Sequence, residues 1–364
     1  MKFVVFSDLH LDRSFRWPSP ALARRLRGGI RETFGRICEL AARENADALL
    51  CAGDLFEQES FTPDTMEMLC NAFGKLAPMP VALAPGNHDW YGPGSLYAHA
   101  RWGPNVKVFD KPQLTQLPLG DGYVLWGAAH CAPVNTSDFL EHFRAAQSDW
   151  NVALFHGSER AFLTEQVEGK LPHAPFTEDE ILSANLIHAF VGHYHRPKDG
   201  RWLTYPGAPQ PLAFGEGQGT AVVAEFDGGI LKKRRREMVS SIPFHDVAID
   251  VSGMPSMSEI IKHAQEKIAG LTGVARITLR GSLAEAVELR LDDLQRIESG
   301  LEGIVARVAD LVPDYNLDKI GAEQTVRGRF VSDVRASALS EEEKRRILTV
   351  GLRAFERRED LEPA

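Results

Sequence analysis

Cysteine is scarce in this chain of 364 residues, with four in all: Cys38, Cys51, Cys70 and Cys131. None forms a CxxC pair or sits close to another, which argues against a disulfide framework and a structural zinc knuckle, and for a reduced, cytoplasmic setting. No apolar run approaches the ~20 residues of a membrane span. The N-terminal segment reaches an acid at Asp8, too soon for a secretory leader. Internal repeats and low-complexity tracts are lacking as well. At 44% hydrophobic and 25% charged residues, the composition excludes disordered, collagen-like and coiled-coil chains. There is no basic excess either: the formal net charge is −9, which argues mildly against a general nucleic-acid coat.

What is present is a repeating pattern. Five short apolar runs, 3–6, 48–52, 81–84, 152–155 and 187–191, each end in polar residues. Stretches with helical spacing lie between most of them. The clearest is 19–45, where Ser19 suits the cap and Pro20 the first turn. Leu22, Leu26, Ile30, Phe34, Ile37 and Leu40 recur there at three- and four-residue steps. Gly28-Gly29 weakens this helix and marks a place where it can break. A second helix is predicted over 62–76. Buried strands alternating with helices give an α/β fold. Beyond Tyr205-Pro206-Gly207-Ala208-Pro209, a β-hairpin is predicted over 221–233 and a linker at 240–243. A second, smaller α/β unit follows: a strand at 247–251, a helix near 256–270, a strand at 276–280 and a helical region through Leu311. A charged tail helix is predicted over 340–358, with Ile347, Leu348, Leu352 and Phe355 on one side.

Each of the five runs is followed by groups suited to a metal: Asp8 and His10; Asp54; Asn87, His88 and Asp89; His156; His193 and His195. Residues two apart on extended backbone face the same way, so Asp8 can converge with His10, and His193 with His195. In an open α/β sheet, ligands bind beyond the carboxyl ends of the strands. Taken singly, each cluster reads as an ordinary turn or a satisfied histidine. Five in one register do not. The donors are carboxylates, imidazoles and an amide, which suits Mn²⁺, Fe²⁺, Zn²⁺ or Mg²⁺. So many candidate ligands exceed the need of one ion and fit two ions sharing a carboxylate. The chemistry of such pairs is in-line displacement at phosphorus.

Asp8-x-His10, Gly53-Asp54, Gly86-Asn87-His88-Asp89, His156 and Gly192-His193-x-His195 together resemble the motif series of the calcineurin-like metallophosphoesterases, over roughly residues 1–200. A finer resemblance is to SbcD/Mre-type DNA double-strand-break repair nucleases. It rests on Phe6-Ser7-Asp8-Leu9-His10-Leu11, Gly53-Asp54-Leu55-Phe56, Tyr205-Pro206-Gly207-Ala208-Pro209, Phe214-Gly215-Glu216 and Gly351-Leu352-Arg353-Ala354. The resemblance implies an α/β sandwich of two β-sheets flanked by helices over 1–240, an α/β cap domain over 243–330 and a helical tail over 331–364. It implies a first metal on Asp8, His10 and His195, a second on Asn87, His156 and His193, and Asp54 bridging them, with Mn²⁺ as first choice. His88 would touch the scissile phosphate and protonate the leaving oxygen. Asp89 would either orient His88 or cap its turn. The implied activity is hydrolysis of DNA, as an exonuclease and secondarily an endonuclease. A homodimer and an SbcC-type SMC-like ATPase partner are implied as well. Several family members have His after Gly-Asp-Leu-Phe; this chain has Glu57, with either a replacement role or none.

Charge placement bears on DNA. From Arg13 to Arg36 there are seven arginines and one acid, Glu32, and Lys232-Lys233-Arg234-Arg235-Arg236 forms a second basic block. Arg13, Arg16, Arg24 and Arg25 are the predicted phosphate contacts. Phe15, Trp17, Trp90 and Tyr91 lie beside metal motifs, where they would stack on bases or fill the core. Two other readings stand beside the nuclease. One is a phosphoesterase for small phosphodiesters or phosphomonoesters. The other is a binding scaffold without catalysis, which the filled ligand positions disfavour.

Overall fold

The computed structural model describes residues 1–147, 149–165, 172–285 and 287–356. They form two compact units, Met1–Pro243 and Phe244 onward. The first half of the first unit holds β1 (Lys2–Phe6), α1 (Pro20–Arg43), β2 (Ala48–Cys51), α2 (Pro63–Gly74), β3 (Val81–Leu83), α3 (Leu96–His99), β4 (Val106–Val108), β5 (Thr115–Gly120) and β6 (Tyr123–Gly127). Then come β7 (Trp150–His156), α4 (Glu178–Ser183), β8 (His188–Gly192), β9 (Lys198–Asp199), β10 (Leu203–Tyr205), β11 (Thr220–Asp227) and β12 (Ile230–Met238).

Two six-stranded sheets result, in the orders β12-β11-β1-β2-β3-β4 and β5-β6-β7-β8-β10-β9. Strands β1 to β4 are parallel, as are β6, β7, β8 and β10; the edges β12, β5 and β9 pair antiparallel. The inner strands are buried on both faces, so they read as continuous apolar runs. Successive side chains still alternate. Phe3, Val5 and Leu50 meet Leu125, Val152, Leu154 and Phe190 between the sheets. Val4, Phe6 and Leu49 turn to the other face and pack on Ile30, Phe34 and Ile37 of α1 and Leu69 and Phe73 of α2. Each such side chain stabilises the fold by about 1.5–3 kcal/mol through burial. The family-implied sandwich of two sheets flanked by helices is the observed architecture.

Helix α1 runs unbroken, with Ser19 Oγ accepting from the Leu22 amide at 3.3 Å. The Gly28-Gly29 pair does not split it. A Cβ on Gly29 would lie 2.5 Å from Ile242 Cδ1, so the small residue is there for close packing. The basic block lies on edge strand β12, where charge discourages further pairing. Arg234 donates to the carbonyl oxygens of Gly200 and Leu203 and to Thr204 Oγ1, and Arg236 to Pro206 O and Asp199. These two cations fasten β9 and β10 to the neighbouring sheet.

The second unit holds β13 (Phe244–Asp250), α5 (Met257–Ile268), β14 (Gly273–Ala284), α6 (Leu291–Gln295), β15 (Leu301–Asp314), α7 (Leu317–Gly321), α8 (Val326–Ala336) and α9 (Glu341–Glu356). Its three strands form a parallel sheet packed on α5 and α6 through Ile249, Ile260, Ile277 and Leu294. The helical region expected through Leu311 is instead the long strand β15, whose Ile304, Ala306 and Val308 fall on one face with period two. Leu348 and Leu352 of α9 are buried against Ile320 and Val331, whereas Ile347 and Phe355 remain 39% and 44% exposed. The end of the expected tail helix, 357–358, lies outside the described residues. Among the described residues, no helix is long and apolar enough to cross a membrane.

Candidate metal centre

The strand-end loops of the two sheets meet. Beyond β1 and β2 the chain keeps its ladder: Asp8 N donates to Gly53 O at 2.9 Å, His10 N to Asp54 O at 3.0 Å and Leu11 N to Leu55 O at 3.0 Å. The backbone there is not extended. Asp8, His10 and Asp54 adopt left-handed φ of 55°, 53° and 52°, and His193 one of 113°. The convergence of Asp8 with His10, and of His193 with His195, therefore comes from strained turns and not from strand alternation. Each such residue costs about 1–2 kcal/mol, a burden typical of sites held by their surroundings. Glycine makes the approach possible: a Cβ on Gly86 would fall 2.3 Å from Asp54 Oδ1, and one on Gly53 2.7 Å from His156 Nδ1.

Two clusters form. Asp8, His10 and His195 offer ligand atoms within 4.8 Å of one another, and so do Asp8, Asp54 and His156. Asp54 Oδ2 lies 3.7 Å from His10 Nε2 and 3.3 Å from His156 Nε2, between the clusters. Asn87 Oδ1 is 3.1 Å from His156 Nε2. The His193 ring stands 5.3 Å from that of His156, and its amide donates to Asp8 Oδ1 at 3.0 Å. All seven sequence-predicted ligands are thus brought together.

Outer partners set the imidazoles. His156 Nδ1 donates to Ala52 O at 2.9 Å, His10 Nδ1 to Glu57 Oε1 at 2.9 Å and His195 Nδ1 to Glu216 Oε1 at 2.8 Å. Each ring then turns an Nε2 lone pair inward, the tautomer a metal requires. His10 Nε2 and His195 Nε2 face each other at 3.2 Å. The protein set fits two oxygen- and nitrogen-ligated cations sharing Asp54.

Electrostatics follow from this crowding. Burial acts against the charge on Asp54, but His156, His10 and His88 outweigh it and hold its carboxyl well below the usual range. Burial likewise disfavours protonated His156, yet Asp54 and Asp8 raise it to about 9. Burial lowers His10, and burial with neighbouring His156 takes His193 well down.

A model of the calcineurin-like phosphoesterases matches residues 1–197. The chain belongs to that family. An uncharacterized metallophosphoesterase, YhaO of Bacillus subtilis (strain 168), is 22% identical over 311 residues, 78% of this chain and 73% of its own. Among solved structures, Yfce, a phosphoesterase from E. coli, is 16% identical with a TM-score of 0.30, over 65% of this chain and 98% of its own. A dimetal phosphatase from Danio rerio is 12% identical with a TM-score of 0.39, over 66% and 98%.

In this phosphoesterase, His88 stands beside the ligands with its amide on Asp54 Oδ1 at 2.8 Å. Its ring is not held by Asp89. Asp89 is fully buried and accepts from the amides of Asp54, Leu55 and Gly86 and from Tyr97 Oη. It caps the loop that carries Asp54, so of the two roles expected for Asp89 the hydrogen bonds fit the capping one and not the orienting of His88. Glu57 holds His88 instead: Oε2 accepts from His88 Nδ1 at 2.9 Å, while Oε1 takes His10 Nδ1 and Arg13 Nη1, the latter at 3.0 Å. The role of Glu57 could not be read from spacing alone. Sequence reasoning also missed His130. Its Nε2 donates to His156 O at 2.8 Å, its Nδ1 accepts from Thr136 Oγ1, and burial lowers it to about 3. Its signal was a sixth strand-end histidine, three residues after β6.

A cavity of about 850 Å³ opens beside Asn87, His88 and His193. Asp138, Glu141, Glu180 and Arg160 are on its wall. Of the predicted DNA contacts, Arg13 lies against Glu57, Arg25 is 3.0 Å from Glu32, and Arg16 and Arg24 are exposed. Phe15 and Tyr91 pack on the α1 side of the core, while Trp17 stays 43% exposed.

Proposed function

We propose that the chain is a dinuclear-metal-dependent DNA nuclease of the SbcD/Mre type, hydrolysing phosphodiesters in repair or end processing. One observation carries the reading: a motif that sets this subfamily apart reaches into the metal cage. Glu216 of Phe214-Gly215-Glu216 orients the ligand His195, and its other oxygen is fixed by the Leu212 and Ala213 amides at 2.7 and 3.1 Å. When bound, two divalent ions would neutralise phosphoryl charge and acidify water. Asp8, His10 and His195 would hold one ion, Asn87, His156 and His193 the other, with Asp54 shared.

His88 supplies the proton. Burial disfavours its cation, but Glu57 and Asp54 raise its pKa above the ordinary imidazole value, which favours the doubly protonated ring that an acid needs. Glu57 on Nδ1 points that Nε2–H toward the leaving oxygen. The strained loops fix both groups before substrate arrives, which removes reorganisation from the reaction.

The test is a substrate panel with Mn²⁺. DNA ends should be degraded. Turnover of cyclic or monoester phosphates with no cleavage of DNA would overturn the reading. That second reading, a small-molecule phosphoesterase, is favoured by one observation: three carboxylates, Asp138, Glu141 and Glu180, border the cavity beside His88 and would repel a polyanion. The proposal includes a homodimer and an SbcC-type SMC-like ATPase as partner, to be checked by light scattering and by reconstitution with such an ATPase.

A further inference from the structure

The loop carrying Glu216 also carries an aromatic ring that the metal cage does not use. Phe214 lies two residues before Glu216, and its ring centroid is 5.7 Å from that of Trp17. Trp17 is 43% exposed, although burying an indole is among the larger gains available to a fold. Arg196, next in sequence to ligand His195, is exposed and donates from Nε to Gly215 O at 2.7 Å. One hydrogen bond, Glu216 to His195, joins this loop to the cage. Trp17 in turn sits in a stretch, 13–27, with five arginines and no acid. Of these, Arg13 is already anchored on Glu57 and Arg16 is exposed.

We propose that Trp17 and Phe214 form a ledge on which the bases of a single-stranded DNA end stack, with Arg16 and Arg196 taking its phosphates. The inference rests on the nuclease reading. Its logic is chemical. Exposed aromatic faces beside arginines bind single strands without regard to sequence, because every base has a π-face and every nucleotide a phosphate. A small phosphate ester has no use for such a surface, whereas a strand can lay its bases on it. The Phe214 loop is tied through Glu216 to His195, whereas the acid-bordered cavity opens beside Asn87, His88 and His193. The polyanion therefore meets the cationic side.

The experiment uses the full chain and two probes. Binding of a labelled oligothymidylate is read by fluorescence anisotropy in the presence of chelator, so that the strand is not cut. Turnover with Mn²⁺ is read for the same oligonucleotide and for bis(p-nitrophenyl) phosphate. Trp17→Ala should weaken oligonucleotide binding by about tenfold or more. It should lower the ratio of the two kcat/KM values, oligonucleotide over small diester, by a similar factor. Trp17→Phe, which keeps a π-face, should recover most of both. Phe214→Ala gives an independent second variant. Arg16→Ala should reduce the slope of log K against log salt by about one. If Trp17→Ala and Phe214→Ala both bind the oligonucleotide as tightly as the unaltered chain does, the ledge is refuted and the nuclease reading survives. If the unaltered chain hydrolyses the small diester yet neither binds nor cuts the oligonucleotide, the nuclease reading falls and the ledge with it.

Discussion

Glu57→Gln is the most informative single change, because the structure says which of two imidazoles will lose its partner. The carboxylate accepts on both oxygens: Oε1 from His10 and Arg13, Oε2 from His88. An amide of the same size accepts on one side only. Arg13 cannot be deprotonated, so the amide oxygen will settle at the Oε1 position, facing Arg13 and His10. The NH₂ group then faces His88 Nδ1. His10 keeps its acceptor; His88 loses a charge-assisted bond of about 1.5–3 kcal/mol. At about 1.4 kcal/mol per factor of ten, kcat for bis(p-nitrophenyl) phosphate should fall by about 10- to 100-fold at saturating Mn²⁺. Mn²⁺ affinity should change far less. The pH profile adds a signed test. Burial opposes the His88 cation and Glu57 favours it, with the net effect upward. Activity that needs protonated His88 is lost as pH rises through that pKa, so removing the carboxylate should move the alkaline limb to lower pH. If Glu57→Gln keeps kcat within twofold and leaves the alkaline limb in place, Glu57 does not position His88 and the reasoning is wrong.

Other outcomes follow from single observations. His88→Ala should retain metal by elemental analysis and lose nearly all hydrolysis of DNA and small diesters, since the proposed ligand set does not include its ring; wild-type turnover would remove it as the acid. Metal binding at pH 7.5 should release protons, because His156 is raised to about 9 in the ion-free cluster and must give up its proton to ligate; calorimetry in buffers of different ionisation enthalpy measures this, and buffer-independent heats would contradict it. Burial and the charge of Glu180 raise Asp138 to about 6, so the fold favours its protonated form and loses stability as pH rises from about 4 through 6. Asp138→Asn should therefore stabilise at pH 8, by about 1 kcal/mol after solvent screening of this half-buried group, and change little at pH 4; urea midpoints at the two pH values decide it. Gly28→Ala and Gly29→Ala should have opposite signs. A Cβ on Gly28 meets nothing within 4 Å and gains about 1 kcal/mol of helix propensity, whereas one on Gly29 meets Ile242 and costs about 1–3 kcal/mol of overpacking.

The ligands were legible because they follow the most buried strands. The runs at β1, β2, β3, β7 and β8 lie at the centre of their sheets and are apolar on both faces, so they stand out without any alternation. Most strands that went unread are short or peripheral, and β6, an inner strand, alternates buried and half-buried residues instead of forming one apolar run. Strand β9 has two residues, and β5 reads Thr115-Gln116-Leu117-Pro118-Leu119-Gly120, a turn-like sequence tolerated because β5 is an edge. Strand β15 was taken for a helix because its apolar residues, half-exposed along a long edge strand, blur the two-residue period.

Asp8 and His10 show the limit more sharply. Their spacing suggested convergence through extended backbone, and they do converge, but at φ of 55° and 53°. No propensity in Ser7-Asp8-Leu9-His10 announces left-handed residues; Asp and His only tolerate them better than branched residues do. The conformation is imposed by Gly53 and Asp54, whose carbonyls capture the Asp8 and His10 amides from a neighbouring strand more than forty residues away. Glu57 is a parallel case. Its chemistry depends on two histidines, one before it and one after it in sequence, that only the sheet order brings together. Residue identity announces which groups can bind metal. The tertiary ladder decides which nitrogen faces the ion, which carboxylate merely caps a loop, and which aims the acid.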